Sequence, residues 1–282
     1  MRLVDSHSHF DVDAFDVDRA KVLARAHDAG VVAQVLPSIH AEGWPRLQAV
    51  CASVPGLHAA YGLHPVYLHE HRPEHLLALR AQLQQEDCVA VGEIGLDYFL
   101  DQLDRDQQQH YFDAQLALAR EFELPVIVHA RRSVDAVIAS LRRFAPVKGV
   151  IHSFGGSQEQ ARQLYQLGCM LGIGGPVTYE RAQRLRRLVA TMPLEHLLLE
   201  TDSPDQPDSA WRGQRNEPAR LPVVLDAIAR LRGDVVADAP ALPAQQVFPR
   251  PPTMCVACPH LGIYYTLSQL RNIIISGDIC CY

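Results

Sequence analysis

The sequence has little lysine, no excess of positive charge and no long apolar run. Only Lys21 and Lys148 are lysines among 26 basic residues, and the formal net charge at pH 7 is −6. This balance excludes a broadly basic surface for nucleic acid, although a local group of arginines can still bind phosphate. No segment approaches the roughly 18 consecutive apolar residues of a membrane span, and the N-terminus lacks the pattern of a secretory signal.

Cysteine is sparse over most of the chain. Cys51, Cys88 and Cys169 stand singly in apolar surroundings, which is typical of buried thiols in a reducing compartment. We therefore predict a cytoplasmic protein with no membrane partner, and we expect a monomer.

The composition changes near the end of the chain. Residues 239–282 contain six prolines, four of the seven cysteines and only three charged side chains. We predict a barrel domain over residues 1–238 and a divergent tail of disordered type over residues 239–282. Cys255 and Cys258 form a lone C-x-x-C pair there, which is too isolated to predict a zinc site.

A short apolar run followed by a segment of helical periodicity recurs along the chain. Eight apolar runs are found, at Leu3–His7, Val32–Pro37, Leu57–Leu63, Val89–Gly95, Leu124–His129, Val147–Ser153, Gly168–Gly174 and His196–Asp202. Helical segments include Asp18–Ala29, Pro73–Gln84, Asp106–Glu121, Ser133–Phe144, Gln158–Gln166 and Tyr179–Ala190. This alternation predicts an α/β fold, a single-domain TIM-like (β/α)8 barrel. A doubly wound sheet is the alternative, but no glycine-rich phosphate fingerprint follows the first strand.

Polar side chains stand where most of these strands end. In a barrel the carboxyl ends of the strands meet at one mouth, and alternation by two places His7 and His9 on one face. Four imidazoles and two carboxylates can together hold two divalent ions, and we assign Glu93 as the carboxylate between them. The six predicted ligands are His7, His9, Glu93, His129, His152 and Asp202.

Packing is the alternative explanation for a histidine at the end of an apolar strand. His64 taken alone fits that explanation, as a structural histidine held by Pro65. Six such residues together do not, because buried charges in that number are costly without cations. The remaining histidines in helical or loop stretches are expected to be solvated, and they include His27, His58, His69, His71, His75 and His110.

Seven ordered segments resemble one known family. They are DSHSHF, YGLHP, VGEIGLDY, LPVIVHAR, IHSFGG, LLLETDSP and RGQRNEP. They are similar to the signatures of the TatD family of metal-dependent deoxyribonucleases, in the amidohydrolase superfamily, over residues 1 to about 235. The usual T-x-N-A-x-R-L-F-like ending has no counterpart here. This difference predicts an altered C-terminus, uncovered apolar barrel surface and lowered stability.

The resemblance implies a role for each site residue. One ion would lie between His7, His9, Glu93 and Asp202, and the other between Glu93, His129 and His152. Asp202 would also take a proton from the attacking water, so Asp202, Glu93 and His64 are the predicted catalytic residues. His64 and Arg131 would contact the phosphate or leaving group. Orienting roles are expected for Asp5, Asp97 and Glu217.

The resemblance also implies a two-metal deoxyribonuclease that trims DNA from its 3′ end. Four imidazoles favour zinc or manganese, whereas nucleases commonly use magnesium. The alternatives are hydrolysis of a small amide or lactone, hydrolysis of an aminoacyl-tRNA ester, and a non-catalytic variant. Many binuclear relatives are bridged by a carboxylated lysine, but neither Lys21 nor Lys148 is placed to reach the barrel mouth. This placement favours the nuclease.

Overall fold

An eight-stranded parallel sheet forms the centre of the protein. The computed structural model describes residues 1–84 and 88–233, so the predicted boundary at residue 238, the tail and its cysteines lie outside the described residues. Each strand pairs with the next along the chain, in the order β1 to β8. The strands are β1 Leu3–Asp5, β2 Val31–Pro37, β3 Leu57–Tyr61, β4 Cys88–Asp97, β5 Val126–Arg131, β6 Gly149–Ile151, β7 Cys169–Ile173 and β8 Leu197–Leu199. The predicted TIM-like barrel is confirmed.

Helices follow all eight strands. They are α1 Arg19–Asp28, α2 Trp44–Ser53, α3 Pro73–Gln82, α4 Arg105–Glu121, α5 Val134–Arg143, α6 Gln158–Gln166, α7 Gln183–Thr191 and α8 Leu221–Arg232. Side-chain caps fix some of their starts. Asp104 accepts hydrogen bonds from two backbone amides of α4, and Ser157 forms a capping box with Gln160 at α6. Within residues 1–84 and 88–233, no helix combines the length and apolar character needed to cross a membrane, and the cytoplasmic location stays a prediction.

Helix α2 was not among the predicted segments. Gly43 and Pro45 indicate a loop in the sequence, yet proline fits the first turn of a helix because its missing amide would have no partner there. The helix buries Trp44, Leu47 and Val50, which are spaced by three residues along one face.

The core has two layers. Most buried apolar side chains form one cluster between the sheet and the helices. A second, small cluster fills the barrel interior with one side chain from each of six strands, which are Val35, Ala60, Ala90, Ile127, Val150 and Leu198. The interior is therefore a packed floor beneath the carboxyl ends of the strands.

Strands β1 and β8 meet along a seam that closes the barrel. The Ser6 amide donates to the Leu199 carbonyl at 3.0 Å, and the Asp202 amide donates to the His7 carbonyl at 2.9 Å. The buried Asp5 carboxylate accepts hydrogen bonds from the Thr201 amide at 2.9 Å and the Thr201 hydroxyl at 2.5 Å. Asp5 therefore joins the ends of the first and last strands.

Three of the histidines expected to be solvated are less exposed than that, and one of them, His58, lies in strand β3 and is partly buried. His75 is only 8% exposed, so the expectation that it is solvated is wrong. His71 is partly buried, and its Nε2 lies 2.9 Å from the His64 carbonyl. Burial lowers the pKa of His71 to about 4, although the hydrogen bond to the His64 carbonyl opposes the shift.

His71 is expected to make the stability of the fold sensitive to acid. The unfolded side chain titrates near pH 6.5, so stability is lost as the pH falls from about 6.5 towards 4. After allowance for partial exposure, the loss amounts to about 1–2 kcal/mol. Urea unfolding at pH 7.5 and pH 5.0, with EDTA present, should show a smaller decrease for His71→Gln than for wild type. Equal decreases would contradict this assignment.

Candidate metal centre

The structure brings the six predicted ligands together at the mouth of the barrel. They come from five separate strand ends, and the polypeptide places them there because all eight strands run in the same direction. Glu93 lies at the centre of the group and is 1% exposed. The ligands stand as follows: His7 and His9 after β1, Glu93 in β4, His129 in β5, His152 after β6 and Asp202 after β8.

One oxygen of Glu93 belongs to a first group of four ligand atoms. His7 Nε2 lies 3.2 Å from Glu93 Oε2, 3.3 Å from His9 Nε2 and 3.5 Å from Asp202 Oδ1. His9 Nε2 lies 3.6 Å from both carboxylates. Two imidazole nitrogens and two carboxylate oxygens therefore converge on one point.

The other oxygen of Glu93 belongs to a second group. Glu93 Oε1 lies 2.9 Å from His152 Nε2, 3.2 Å from His129 Nδ1 and 3.1 Å from His64 Nε2. His129 Nδ1 and His152 Nε2 are 3.3 Å apart. Glu93 therefore lies between two clusters of imidazoles, with one oxygen turned to each.

These separations fit metal coordination. Four atoms placed tetrahedrally about 2.0–2.1 Å from one ion lie about 3.3–3.4 Å from each other. The first group spans 3.2 to 3.6 Å. Glu93 Oε2 is fully buried, yet it has no hydrogen bond of acceptable geometry to any described residue. A buried carboxylate oxygen without a proton donor is a costly arrangement that a cation would relieve.

Hydrogen bonds on the far side of two imidazoles leave the correct nitrogen free for a cation. His9 Nδ1 lies 3.2 Å from the Pro37 carbonyl, and His129 Nε2 lies 3.0 Å from Asp97 Oδ2. Because each of these oxygens can only accept, each facing nitrogen carries a proton in the neutral ring. The lone pair is then on His9 Nε2 and on His129 Nδ1, which both face Glu93.

His64 has the opposite arrangement. Its Nδ1 accepts a hydrogen bond from the Val66 amide at 3.1 Å, which leaves the proton on Nε2 in the neutral ring. Burial lowers the pKa of His64, so the neutral ring is favoured. Nε2 therefore donates to Glu93 Oε1 and is not free to coordinate an ion. This geometry suits a donor to a substrate oxygen better than a ligand.

The titration of the remaining imidazoles depends on burial and on Glu93. Burial lowers the pKa of His7 to about 4, which keeps its ring neutral. Burial also disfavours a charged His152, but the nearby Glu93 carboxylate raises the pKa of His152 to about 10. The histidines that surround Glu93 hold the pKa of that buried carboxyl well below its usual value. A proton on His152 thus balances the Glu93 charge, and binding of a cation would displace this proton.

One oxygen of Asp202, Oδ1, belongs to the first group. The other oxygen, Oδ2, contacts the loop that follows β8. Gln206 donates through its amide to Asp202 Oδ2 and accepts from the Ser153 hydroxyl at 2.8 Å. The backbone of Asp202 has φ 56°, a left-handed conformation that is uncommon outside glycine but tolerated by aspartate. The sequence contains no signal for the role of Gln206.

Glu200 is a buried carboxyl beside the centre that was not predicted as a site residue. Its Oε1 accepts from the Ser153 amide at 2.6 Å and lies 3.8 Å from His152 Nδ1. Burial raises the pKa of Glu200 to about 8. The signal was present in the sequence, since alternation by two places Glu200 and Asp202 on one face of the strand.

The three expected orienting residues differ in what they contact. Asp97 accepts from the imidazole of His129, whereas Asp5 joins strand ends at the seam. Glu217 instead pairs with Arg25 of α1, at 2.5 Å between Nη2 and Oε2. Among the residues that the structure describes, Asp97 is therefore the one of these three that hydrogen-bonds a ring of the cluster.

Replacement of Asp97 by asparagine is expected to weaken metal binding about 10- to 100-fold. The substitution removes the negative charge that fixes the His129 ring and increases its basicity. Competition with a coloured zinc chelator measures this affinity. Asp113→Asn is a matched control, because Asp113 pairs with Arg143 on the surface of α4. Equal zinc affinity of Asp97→Asn and this control would contradict the assignment.

A cavity of about 920 Å³ opens above the cluster. His64 and Glu93 lie on its floor, and Arg131 lines its wall together with Arg132 and Arg184. The predicted substrate contacts His64 and Arg131 thus face the same space as the cluster. Arginines around an acidic and imidazole-rich floor give a site in which a phosphate can contact guanidinium groups and cations at once.

An α/β barrel with histidine and carboxylate clusters at its mouth is the arrangement of a metal-dependent hydrolase. A family model described as TatD related DNase matches residues 4–247. The chain therefore belongs to the TatD related DNase family, and the resemblance carried by the seven segments is confirmed. The match extends past residue 236, further along the chain than those segments indicated.

The chain matches its relatives over most of their length. The metal-dependent hydrolase YjjV of Escherichia coli (strain K12) is 42% identical over 244 residues, which cover 84% of this chain and 94% of that protein. The 3'-5' ssDNA/RNA exonuclease TatD of Pantoea vagans (strain C9-1) is 35% identical over 228 residues, which cover 78% and 88%. The crystal structure of YjjV superposes with a TM-score of 0.79 and 40% identity, covering 82% of this chain and 90% of that chain.

Proposed function

We propose that this chain uses two divalent metal ions to hydrolyse phosphodiester bonds and removes nucleotides from the 3′ end of single-stranded DNA. The observation that carries the proposal is the pair of ligand groups that share the Glu93 carboxylate. The exonuclease name of the Pantoea vagans relative supports the polarity and the single-stranded substrate. The arginines that line the cavity support a phosphate-containing substrate.

We assign the two ligand sets from the two groups of atoms around the Glu93 oxygens and from the tautomers of His9 and His129. His7, His9, Asp202 and Glu93 Oε2 would hold one ion, and His129, His152 and Glu93 Oε1 the other. When bound, two such ions lower the pKa of a water and offset the charge that develops on a phosphoryl group. The imidazoles favour zinc or manganese, although magnesium is compatible with the carboxylates.

The residues around the ligands supply the remaining chemistry. Asp202 lies at the cavity and accepts the proton of the attacking water. His64, with its proton on Nε2, donates a hydrogen bond to a phosphoryl or leaving oxygen. Arg131 contacts a neighbouring phosphate and holds the strand in place. Asp202, His64 and Arg131 all line the cavity.

The positions of the lysines argue against a lysine-bridged amidohydrolase. Lys21 lies in α1 on the outside of the barrel, and Lys148 directly precedes β6 at its amino end. Neither lies at the carboxyl ends of the strands, where Glu93 is the proposed bridge. Hydrolysis of an aminoacyl-tRNA ester and of a small lactone would use the same cluster, so both serve as comparison reactions.

The test uses one oligonucleotide labelled at either its 3′ or its 5′ end. The protein is treated with chelator and supplied with Mn²⁺, Mg²⁺ or Zn²⁺. The 3′-labelled strand should then release its label at once as a mononucleotide, while the 5′-labelled strand should shorten stepwise. Phosphorothioate linkages at the 3′ end should block both patterns. Earlier release of the 5′ label would overturn the polarity. No release with any metal, alongside turnover of a lactone or an aminoacyl-tRNA, would overturn the nuclease itself.

A further inference from the structure

An exposed phenylalanine lies beside two arginines that line the cavity. Phe99 follows β4 and is 41% exposed, whereas the phenylalanines of the core are at most 2% exposed. The guanidinium carbon of Arg131 lies 3.7 Å from the centre of the Phe99 ring, and that of Arg132 lies 4.7 Å from it. Both arginines also line the cavity above the cluster.

The position of Phe99 is tied to the metal centre through Asp97. The Phe99 amide donates to Asp97 Oδ1 at 2.9 Å, and the Leu100 amide lies 3.3 Å from the same oxygen. The other oxygen, Oδ2, faces His129 Nε2 at 3.0 Å. One carboxylate therefore fixes both a ligand imidazole and the loop that carries the ring. A surface fixed in this way loses little conformational entropy when a ligand binds.

The two arginines carry positive charge beside the Phe99 ring, and the Arg131 guanidinium is close enough to the Asp97 carboxyl to help lower its pKa. Neither Arg131 nor Arg132 forms a salt bridge with a carboxylate of residues 1–84 or 88–233, whereas Arg80 and Arg143 on the outer helices do. Unpaired guanidiniums stacked on an exposed aromatic ring are typical of surfaces that bind unpaired bases. The charge attracts phosphates, and the ring or the guanidinium planes stack with a base.

We propose that Phe99, Arg131 and Arg132 form a stacking platform for an unpaired nucleotide of the substrate strand. The platform deepens the proposed nuclease function and rests on it for the identity of the strand. A base in a duplex is stacked on both faces and paired at its edge, so reaching the platform would require unstacking it. The platform therefore selects single-stranded over duplex ends.

The first test measures binding without cleavage. The probe is a fluorescent single-stranded oligothymidylate with phosphorothioate linkages, titrated with the full chain and Mn²⁺. Phe99→Ala should raise the Kd about tenfold, which is near the lower end for loss of one base–aromatic stack. Phe99→Trp should retain wild-type binding or tighten it. Leu77→Ala is the matched control, because Leu77 is an exposed apolar residue on α3, at 72% exposure.

The second test measures how much the charge of Arg132 contributes to binding, from the salt dependence of the Kd of Arg132→Asn. Arg132 has φ 56°, so asparagine is the replacement that tolerates its left-handed backbone. Loss of one phosphate contact should reduce the slope of log Kd against log salt concentration by roughly 0.7 for a single strand. An unchanged slope would remove Arg132 from the platform.

The outcomes separate the platform from the nuclease. If wild type cleaves single strands but Phe99→Ala binds the probe with an unchanged Kd, the platform is overturned and the nuclease proposal stands. If wild type hydrolyses no DNA yet Phe99→Ala still binds about tenfold more weakly, the platform stands and the nuclease proposal is overturned. A wild-type chain that binds neither the single strand nor a duplex also overturns the platform, as does equal affinity for the two.

Discussion

Glu93→Gln is expected to lower the rate of DNA hydrolysis on the order of a thousandfold or more and to reduce the bound metal. Both oxygens of Glu93 face imidazole nitrogens, at 2.9 to 3.2 Å from His152, His129 and His7. An amide has the same shape but only one oxygen, and its NH₂ group would face nitrogens that must offer a lone pair to a cation. The substitution is therefore expected to remove the proposed bridge between the two groups while leaving the side-chain volume unchanged.

Metal analysis and rates must be measured on the same preparation of Glu93→Gln. Elemental analysis should give close to two ions for wild type and one or fewer for the variant. Glu121→Gln is a suitable control, because Glu121 pairs with Arg80 on an outer helix. A variant that retains two ions and wild-type turnover would refute the bridging role. Retention of both ions with loss of turnover would instead restrict the role of Glu93 to catalysis.

Gly95→Ala is expected to prevent normal folding or to lower the free energy of unfolding by several kcal/mol. Gly95 lies in β4 with φ 137°, a conformation that only glycine adopts readily. A Cβ atom there would lie 2.1 Å from the carbonyl oxygen of His129 in the paired strand. The strand cannot move aside without breaking the β4–β5 ladder, which carries both Glu93 and His129. The strain alone costs on the order of 1–3 kcal/mol.

Gly155→Ala provides the matched comparison for Gly95→Ala. A Cβ atom at Gly155 would have no atom within 4 Å, so its unfolding free energy should stay within about 0.5 kcal/mol of wild type. Soluble yield, circular dichroism and urea unfolding distinguish the two variants. Equal stability of Gly95→Ala and Gly155→Ala would show that β4 adapts to a side chain at this position.

The barrel was predictable because its signal is repeated. Each buried parallel strand is an apolar run, and the eight runs alternate with amphipathic segments, so errors at single boundaries do not change the fold. Helix α2 was missed because Gly43 and Pro45 stand at its start, and local sequence does not distinguish a proline in a first helical turn from one in a loop.

The convergence of the six predicted ligands was predictable for a related reason. A barrel brings strand ends together, so polar residues at those ends must meet once the fold is known. The direction of each side chain was not predictable. The tautomer of His64 depends on the Val66 amide, and the contact of Gln206 with Asp202 depends on a loop conformation. The pairing of Phe99 with two arginines likewise depends on how a turn is held by Asp97.

The seam between β1 and β8 means that the two ligand groups form at different stages of folding. Asp5 and Thr201 are 196 residues apart in sequence, so their contact demands the closure of a very long loop. Contacts of such high order form late in folding. His7, His9 and Asp202 lie on the two sides of this seam, whereas Glu93, His129 and His152 come from β4, β5 and the end of β6. If two ions bind as proposed, we expect a half-built barrel to hold the ion of the Glu93, His129 and His152 group, whereas the ion of the His7, His9 and Asp202 group would require the barrel to be closed.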